Sequence, residues 1–273
     1  MLKKINQATM FRLSLVVALF VVNALNAQTA EKSSIITTNN KSASKSLNHI
    51  AFIADGNRRW AKSKGLSPLE GHRVGFLETA PLLLKKSWEA GIHTVTLWGF
   101  STGNWNRGKE EIDNLMILFE QLINKMLPVA KEIGVKIVHL GRKNKIPQTL
   151  LDTINKAEQE TANFSNYIFN FGIDYSGRDD ICRAFKKIAA TGINMEDVTE
   201  KIISDHIDTA HQPYQNPDLM IRTSGELRLS GFMAWESTYS ELYFPEEYFP
   251  ALNEESLKKA IAVFNERVRT FSK

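Results

Sequence analysis

The chain has a single cysteine, Cys182, among 273 residues, and this scarcity excludes an intrachain disulfide and any zinc site built from several thiolates. Cys182 is expected as a small core residue. Long hydrophobic runs are also lacking. The apolar stretch from Leu13 to Leu25 is roughly thirteen residues, and a membrane-spanning helix needs about 20. The folded part lacks an excess of positive charge as well. The net charge is +4 and the pI about 9.0, but residues 1–48 hold Lys3, Lys4, Arg12, Lys32, Lys41 and Lys45 against Glu31 alone, which leaves residues 49–273 at −1. That balance argues against a nucleic-acid binder, which needs a broad basic footprint, and still allows a local anion site made by a few arginines. No internal repeat is present.

With 43% hydrophobic and 23% charged positions, the chain can bury one good-sized core, and one globular domain is the simplest reading. The first residues form a separate object. Lys3 and Lys4 precede the apolar run, and small polar residues follow around Ala27, so residues 1–27 read as a signal-like or membrane-proximal segment. Leu25 stands where a small residue is wanted for cleavage after Ala27. Residues 28–48 are rich in Ser, Thr, Asn and Lys and read as a disordered linker, with the folded domain spanning 49–273.

Short apolar runs at Ile50 to Ile53, Thr94 to Phe100, Val135 to Leu140, Tyr167 to Ile173 and Leu219 to Ile221 read as buried strands. Helical spacing lies between them. Ile112, Leu115, Met116, Phe119, Leu122, Ile123 and Met126 fall on one face, with Glu110 and Glu111 in the first turn, where the helix dipole favours anions. Leu150, Ile154 and Ala157 mark a second helix, and Leu257, Ile261 and Phe264 a terminal one capped by Asn253. Alternation of strand and helix predicts a mainly parallel α/β sheet, whose ligands sit beyond the carboxyl ends of the strands.

Polar motifs collect at those ends. Asp55-Gly56-Asn57-Arg58-Arg59-Trp60 follows a strand and opens a helix, so a glycine-flexed turn presents N–H groups, arginines and a carboxylate together, which suits a diphosphate and its metal. Taken alone it is more simply a capped helix start with solvated arginines. Ser101 to Arg107 follows another strand and by itself is an ordinary loop. The segment from Arg222 to Ser230 follows a third strand and adds Arg222, Arg228 and hydroxyls. Each charge-assisted bond to phosphate contributes about 1.5–3 kcal/mol, enough for two or three arginines to hold a diphosphate at micromolar level. Glu241 lies among aromatic residues, where a carboxylate is costly unless paired or metal-bound; the bland alternative is a half-exposed glutamate.

Together these four segments, in this order and spacing from about His49 to Phe249, resemble the cis-prenyltransferase family of undecaprenyl diphosphate synthase-like isoprenyl transferases. The resemblance implies a single α/β domain with a six-stranded, mainly parallel sheet ringed by helices, a hydrophobic tunnel and a homodimer. It implies a Mg²⁺-dependent condensation of isopentenyl diphosphate with an allylic diphosphate. By position, Asp55 and Asn104 are implied to be catalytic, and Asp55 and Glu241 to be the metal-handling carboxylates. Gly56, Asn57 and Arg59 would cradle the allylic diphosphate with His72 nearby, Arg58 and Trp60 of the same motif are implied to be substrate-binding, Ser101, Trp105 and Arg107 belong to the second motif with Trp105 walling the allylic chain, and Arg222, Arg228 and Ser230 would bind isopentenyl diphosphate. The DDxxD signature of trans-prenyltransferases is missing, since Asp179-Asp180 is followed by Ile181-Cys182-Arg183.

The chain departs from the family pattern at several places. Arg58 replaces a common glycine, Pro68 occupies roughly the place of an arginine, Gly103 that of a glutamate and Gly231 that of an asparagine, while Asp174 and Ser176 interrupt an Asn-Tyr-Gly-Gly-Arg stretch. The arginines and both key carboxylates remain, as expected of a working enzyme. Tyr167, Phe169 and Phe171 alternate along one strand and should share a face, where their bulk shortens the tunnel, whereas Gly99 should leave room near the entrance. A short or medium product is therefore expected. The competing readings are a terpene synthase-like cyclisation or head-to-middle condensation on the same fold, and a non-catalytic partner subunit. Diphosphates do not cross a bilayer unaided, so a cytoplasmic enzyme held at the membrane by residues 1–27 is expected, the alternative being export after cleavage of that segment.

Overall fold

The computed structural model describes residues 46–267; the signal-like segment and most of the linker lie outside the described residues. Six parallel strands form one sheet in the order β3-β4-β2-β1-β5-β6. They are β1 (His49–Ile53), β2 (Thr94–Ser101), β3 (Val135–Leu140), β4 (Tyr167–Tyr175), β5 (Leu219–Arg222) and β6 (Glu241–Tyr243). The five apolar runs coincide with β1 to β5. The sixth strand is only three residues long and half-buried, too short for a hydrophobic pattern to mark it.

The helices are α1 (Asn57–Ser63), α2 (Pro68–Val74), α3 (Ala80–Glu89), α4 (Lys109–Ile133), α5 (Gln148–Glu160), α6 (Gly177–Ala190), α7 (Glu200–Ser204) and α8 (Glu254–Glu266). A π-helical turn, Gly75–Thr79, joins α2 to α3. The predicted stripe on α4 is buried from Leu115 to Met126, and Gly134, at φ 78, terminates the helix in the left-handed conformation. Asn253 caps α8 as predicted, in a capping box with Ser256. Cys182 is a correction: it is exposed on α6 and takes no part in the core.

Strand alternation divides the interior into two layers. Ile50, Phe52, Val95, Leu97, Phe169 and Phe171 face α3, α4 and α8 in the larger core, while Ala51, Ile53, Met220 and Tyr175 join Phe232 and Met233 on the opposite face. Tyr167, Phe169 and Phe171 share the larger layer, as their spacing required. Because all pairings are parallel, the ends of β1, β2 and β5 lie at one rim, with Ile53 beside both Trp98 and Arg222. Register shifts around Trp98, Phe100 and Ser101 form a bulge that re-aims the end of β2 at this rim.

A second polar cluster lies on the smaller layer's side. Glu236 and Asp180 are almost wholly buried, and the Thr209 hydroxyl donates to Glu236 Oε1 at 3.1 Å. Burial pushes the Glu236 carboxyl up to about 7. The folded protein thus keeps this proton over a range where the unfolded chain releases it, and Glu236 costs stability progressively as pH rises from about 4.5 towards 7. Glu236→Gln removes that cost. Its melting temperature relative to wild type should therefore be higher at pH 8 than at pH 5, by an amount worth at most roughly 3 kcal/mol. An equal difference at both pH values would contradict the assignment.

Candidate active site

The turn after β1 folds as it does because Gly56 takes φ 94, and a Cβ there would meet Tyr248 Cδ1 at 2.5 Å and Ser224 Cβ at 2.9 Å. Asp55 is thereby held between β1 and β5. Its Oδ2 accepts from Arg222 Nη2 at 2.8 Å, and its Oδ1 from the Gly56 N–H at 2.7 Å and Arg59 Nη2 at 3.3 Å. Burial raises the Asp55 carboxyl, but the Arg222 bond and charge, the Gly56 N–H and Arg59 outweigh it and hold the group below its ordinary value. The side chain is ionised at neutral pH, and the stability it contributes is lost only as pH falls through that lowered value.

Arg222 is buried at the end of β5. Besides Asp55 it reaches the Arg228 carbonyl and, at 2.7 Å, the Ser230 hydroxyl. Arg59 donates to Ser224 Oγ at 2.7 Å and Glu226 Oε1 at 2.9 Å, and Arg228 Nη1 lies 2.5 Å from Glu226 Oε2. Glu226 thus ties two arginines together, and they hold its carboxyl below the usual range. Glu111, in the first turn of α4, plays the same part on the other wall: it accepts from Arg107 at 3.0 Å, lies 3.2 Å from His72 Nε2 and 3.6 Å from Arg58. Burial lowers the pKa of His72, Arg107 and Arg58 lower it further, and Glu111 opposes them. A neutral ring that donates a hydrogen bond from Nε2–H to Glu111 leaves Nδ1 as a buried acceptor without a partner among the described residues.

Two cavities meet over these groups. The smaller, about 180 Å³, is lined by Asp55, Ser101, Asn104, Arg107, Arg222 and Ser230, with Trp98, Gly99 and Phe100 as its apolar floor. The larger, about 470 Å³, is lined by Asp55, Gly56, Asn57, Arg58, Arg59, His72, Arg107, Glu226 and Arg228. Ala54, Asp55, Gly99 and Arg107 belong to both. Five guanidinium groups face three carboxylates there, so the site carries a net positive charge suited to anionic ligands.

The structure therefore brings together Asp55, Gly56, Asn57, Arg58, Arg59, His72, Ser101, Asn104, Arg107, Arg222, Arg228 and Ser230. Three expected site residues line neither cavity. Trp60 lies on α1, and Trp105 gives its indole N–H to the buried Asp174 at 2.8 Å. Glu241 starts β6 in register with Leu219, three residues or about 10 Å short of the rim where Arg222 stands in the same chain, and it pairs with Arg267 at 3.1 Å. Gly99 is a correction. It forms floor for both cavities, but Phe171 and Phe119 already fill the space behind it, to within 2.7 and 3.1 Å of where a Cβ would be. Asn57 is buried: its Nδ2 donates to the Ala54 carbonyl, and its Oδ1 has no hydrogen-bond partner among the described residues.

Sequence reasoning missed Glu111 and Glu226 as site residues. Each had a local signal: Glu111 is four residues beyond Arg107 on a helix start, and Glu226 sits between two arginines of one motif.

Comparison with known proteins matches the family model described as putative undecaprenyl diphosphate synthase over residues 53–272. The chain belongs to the cis-prenyltransferase family. It is 39% identical over 225 residues to an isoprenyl transferase of Lactococcus lactis, covering 82% of this chain and 92% of that one. Among solved structures, lavandulyl diphosphate synthase from Lavandula x intermedia, in complex with dimethylallyl diphosphate, is similar at TM-score 0.79 and 34% identity, over 82% of this chain and 97% of that one. A probable undecaprenyl diphosphate synthase from Campylobacter jejuni matches at TM-score 0.70 and 29% identity, over 84% and 100% of the two chains. As a cis-prenyltransferase the chain is an enzyme of the family's general reaction, the condensation of isopentenyl diphosphate with an allylic diphosphate.

A titration with inorganic pyrophosphate tests the electrostatic account of the site. Arg59→Met should weaken binding about 10- to 100-fold, the worth of one charge-assisted bond, and Glu226→Gln, which frees Arg59 and Arg228, should strengthen it. Unchanged affinity in both variants would refute it.

Proposed function

We infer that this cis-prenyltransferase makes a cis-polyisoprenyl diphosphate of short or medium length, as a homodimer assisted by Mg²⁺. The observation that carries the reading is the pair of adjoining basic cavities, which matches a reaction whose two substrates both carry diphosphates. The larger cavity, at the N-terminus of α1 with Arg58, Arg59 and His72, suits the allylic diphosphate. The smaller, with Arg222, Ser230, Ser101 and Asn104, suits isopentenyl diphosphate.

The chemistry follows from these groups. The allylic C–O bond breaks, its electron pair leaves with the diphosphate, the isopentenyl double bond attacks the allylic carbon, and a proton is lost to form the new double bond. Arginines already in place stabilise the charge gathering on the leaving group without having to reorganise. Trp98, Gly99 and Phe100 keep water from the electron-poor carbon.

Among the described residues no group of three or more His, Cys, Asp or Glu forms a metal cage. Mg²⁺ is usually held by one or two carboxylates plus substrate phosphates, and Asp55, partly exposed at the junction of both cavities, fits that manner of binding. When bound there, Mg²⁺ supplies further stabilisation of charge on the departing diphosphate.

The packing behind the cavities supports a short or medium product. Phe76, Phe119 and Phe171 pack edge to face at 5.0 and 5.2 Å, and a void deeper in this layer, between Phe52, Leu83, Val95, Leu97 and Phe249, holds only about 10 Å³. A growing chain must displace these rings. A second reading, head-to-middle condensation of two allylic diphosphates, draws support from the same crowding and from the likeness to lavandulyl diphosphate synthase. Mass spectrometry of products formed from dimethylallyl diphosphate with and without isopentenyl diphosphate separates the two, because only head-to-middle condensation proceeds without the latter.

No described helix is long and apolar enough to cross a membrane. Residues 1–27 remain our candidate for membrane association of a cytoplasmic enzyme, and N-terminal sequencing of the native protein that began at Gln28 would overturn that part of the reading.

Tyr167→Ala and Phe169→Ala, made singly, should each lengthen the radiolabelled product by one or more isoprene units. An unchanged product ladder in both variants would refute the assigned limit on length.

A further inference from the structure

Asp174 lies next to the end of β4, wholly buried, with φ 52 in the left-handed region that few non-glycine residues occupy. Its Oδ1 accepts from the Trp105 indole at 2.8 Å and from Arg142 Nη2 at 2.7 Å, and its Oδ2 from Arg142 Nε at 3.0 Å. The Arg142 N–H also donates to the Asp174 carbonyl at 3.1 Å. A carboxylate this deeply buried needs its counter-ion, and the two-pronged guanidinium provides it.

Trp105 occupies the centre of the 3₁₀ turn Asn104–Asn106, within the segment that supplies Ser101, Asn104 and Arg107 to the cavities. Its ring meets Phe100, another lining residue, edge-on at 5.0 Å, and the segment is closed on itself by the Ser101 N–H bonded to Asn104 Oδ1 at 3.0 Å. The same strand end holds a second indole, since Trp98, in the floor of the smaller cavity, donates to the Tyr175 carbonyl at 3.1 Å. The end of β4 thus fixes both the floor and the polar wall of the site without touching either cavity itself.

We propose that Asp174, charge-balanced by Arg142, is a positioning residue that acts through the Trp105 indole to aim Asn104 and Arg107 into the site. This rests on the condensation reading for its kinetic consequence, but not for its geometry. Loss of the peg frees the 101–107 turn to shift, and a displacement of about 1 Å at a reacting site can lower turnover on the order of 100-fold. Asparagine keeps an oxygen that accepts the indole N–H; alanine does not.

The experiment follows the Trp105 indole N–H cross-peak, assigned by its disappearance in Trp105→Phe, together with kcat, KM and pyrophosphate affinity in the full chain. Asp174→Asn should keep the cross-peak near its wild-type position and kcat within a few-fold of wild type. Asp174→Ala should move the cross-peak and lower kcat about 10- to 100-fold, with a smaller change in KM. The double variant Asp174→Ala/Trp105→Phe should be no slower than the slower single variant, because both changes break one linkage. Equal kcat in Asp174→Ala and wild type, or multiplicative losses in the double variant, would overturn the proposal while leaving the condensation reading intact. If wild type condenses no substrate, that reading fails first and pyrophosphate affinity decides: about tenfold weaker binding in Asp174→Ala supports the positioning role, and unchanged binding overturns it. Should the alanine variant not fold, Arg142→Met tests the same linkage, with the same movement of the cross-peak expected and its absence overturning the proposal.

Discussion

The ion pair between Arg222 and Asp55 joins the ends of two neighbouring strands, and the chemistry of the site depends on it. Arg222 is buried and cannot be left without a partner, and the carboxylate that satisfies it is the group shared by both cavities. A salt bridge of this kind is no more stabilising than well-packed apolar residues in its place, although breaking it is costly. Its value is geometric. Asp55 is aimed, ionised and held, and the same guanidinium also gathers Ser230 and the Arg228 carbonyl, so that two loops from distant parts of the chain close on one point.

Around that pair the protein assembles more positive charge than it neutralises. Glu111 and Glu226 each bridge cationic groups and keep them from splaying apart, while the uncompensated remainder draws in a ligand of opposite sign. Beneath the charged rim the larger core is aromatic and tightly packed. A polar mouth over an apolar interior is the division of labour needed when a substrate has a diphosphate at one end and hydrocarbon at the other.

Much of this was legible in the sequence because it is written in local patterns. Five buried strands announced themselves as apolar runs, and three polar motifs directly after strands located the rim, since parallel pairing puts strand ends together. What escaped was set by tertiary contact. The three-residue β6 carries no periodic signal, so the placement of Glu241 away from Asp55 within one chain followed only from its register with Leu219. Gly99 looked like open space because a sequence shows the missing side chain and not the rings of Phe119 and Phe171 that occupy its place. Asp174 was visible as an unusual residue, but its partners Trp105 and Arg142 lie 69 and 32 positions away.

The most direct test of the central claim is the rate at which Asp55→Asn incorporates labelled isopentenyl diphosphate, measured beside its melting temperature. Asparagine nearly preserves the shape and removes the charge, so the variant should stay folded and lose at least about 100-fold in rate, as expected when a fixed electrostatic group is removed from a transition state. A folded variant that works within a few-fold of wild type would show that the Arg222–Asp55 pair is scaffolding alone and that the chemistry is organised elsewhere.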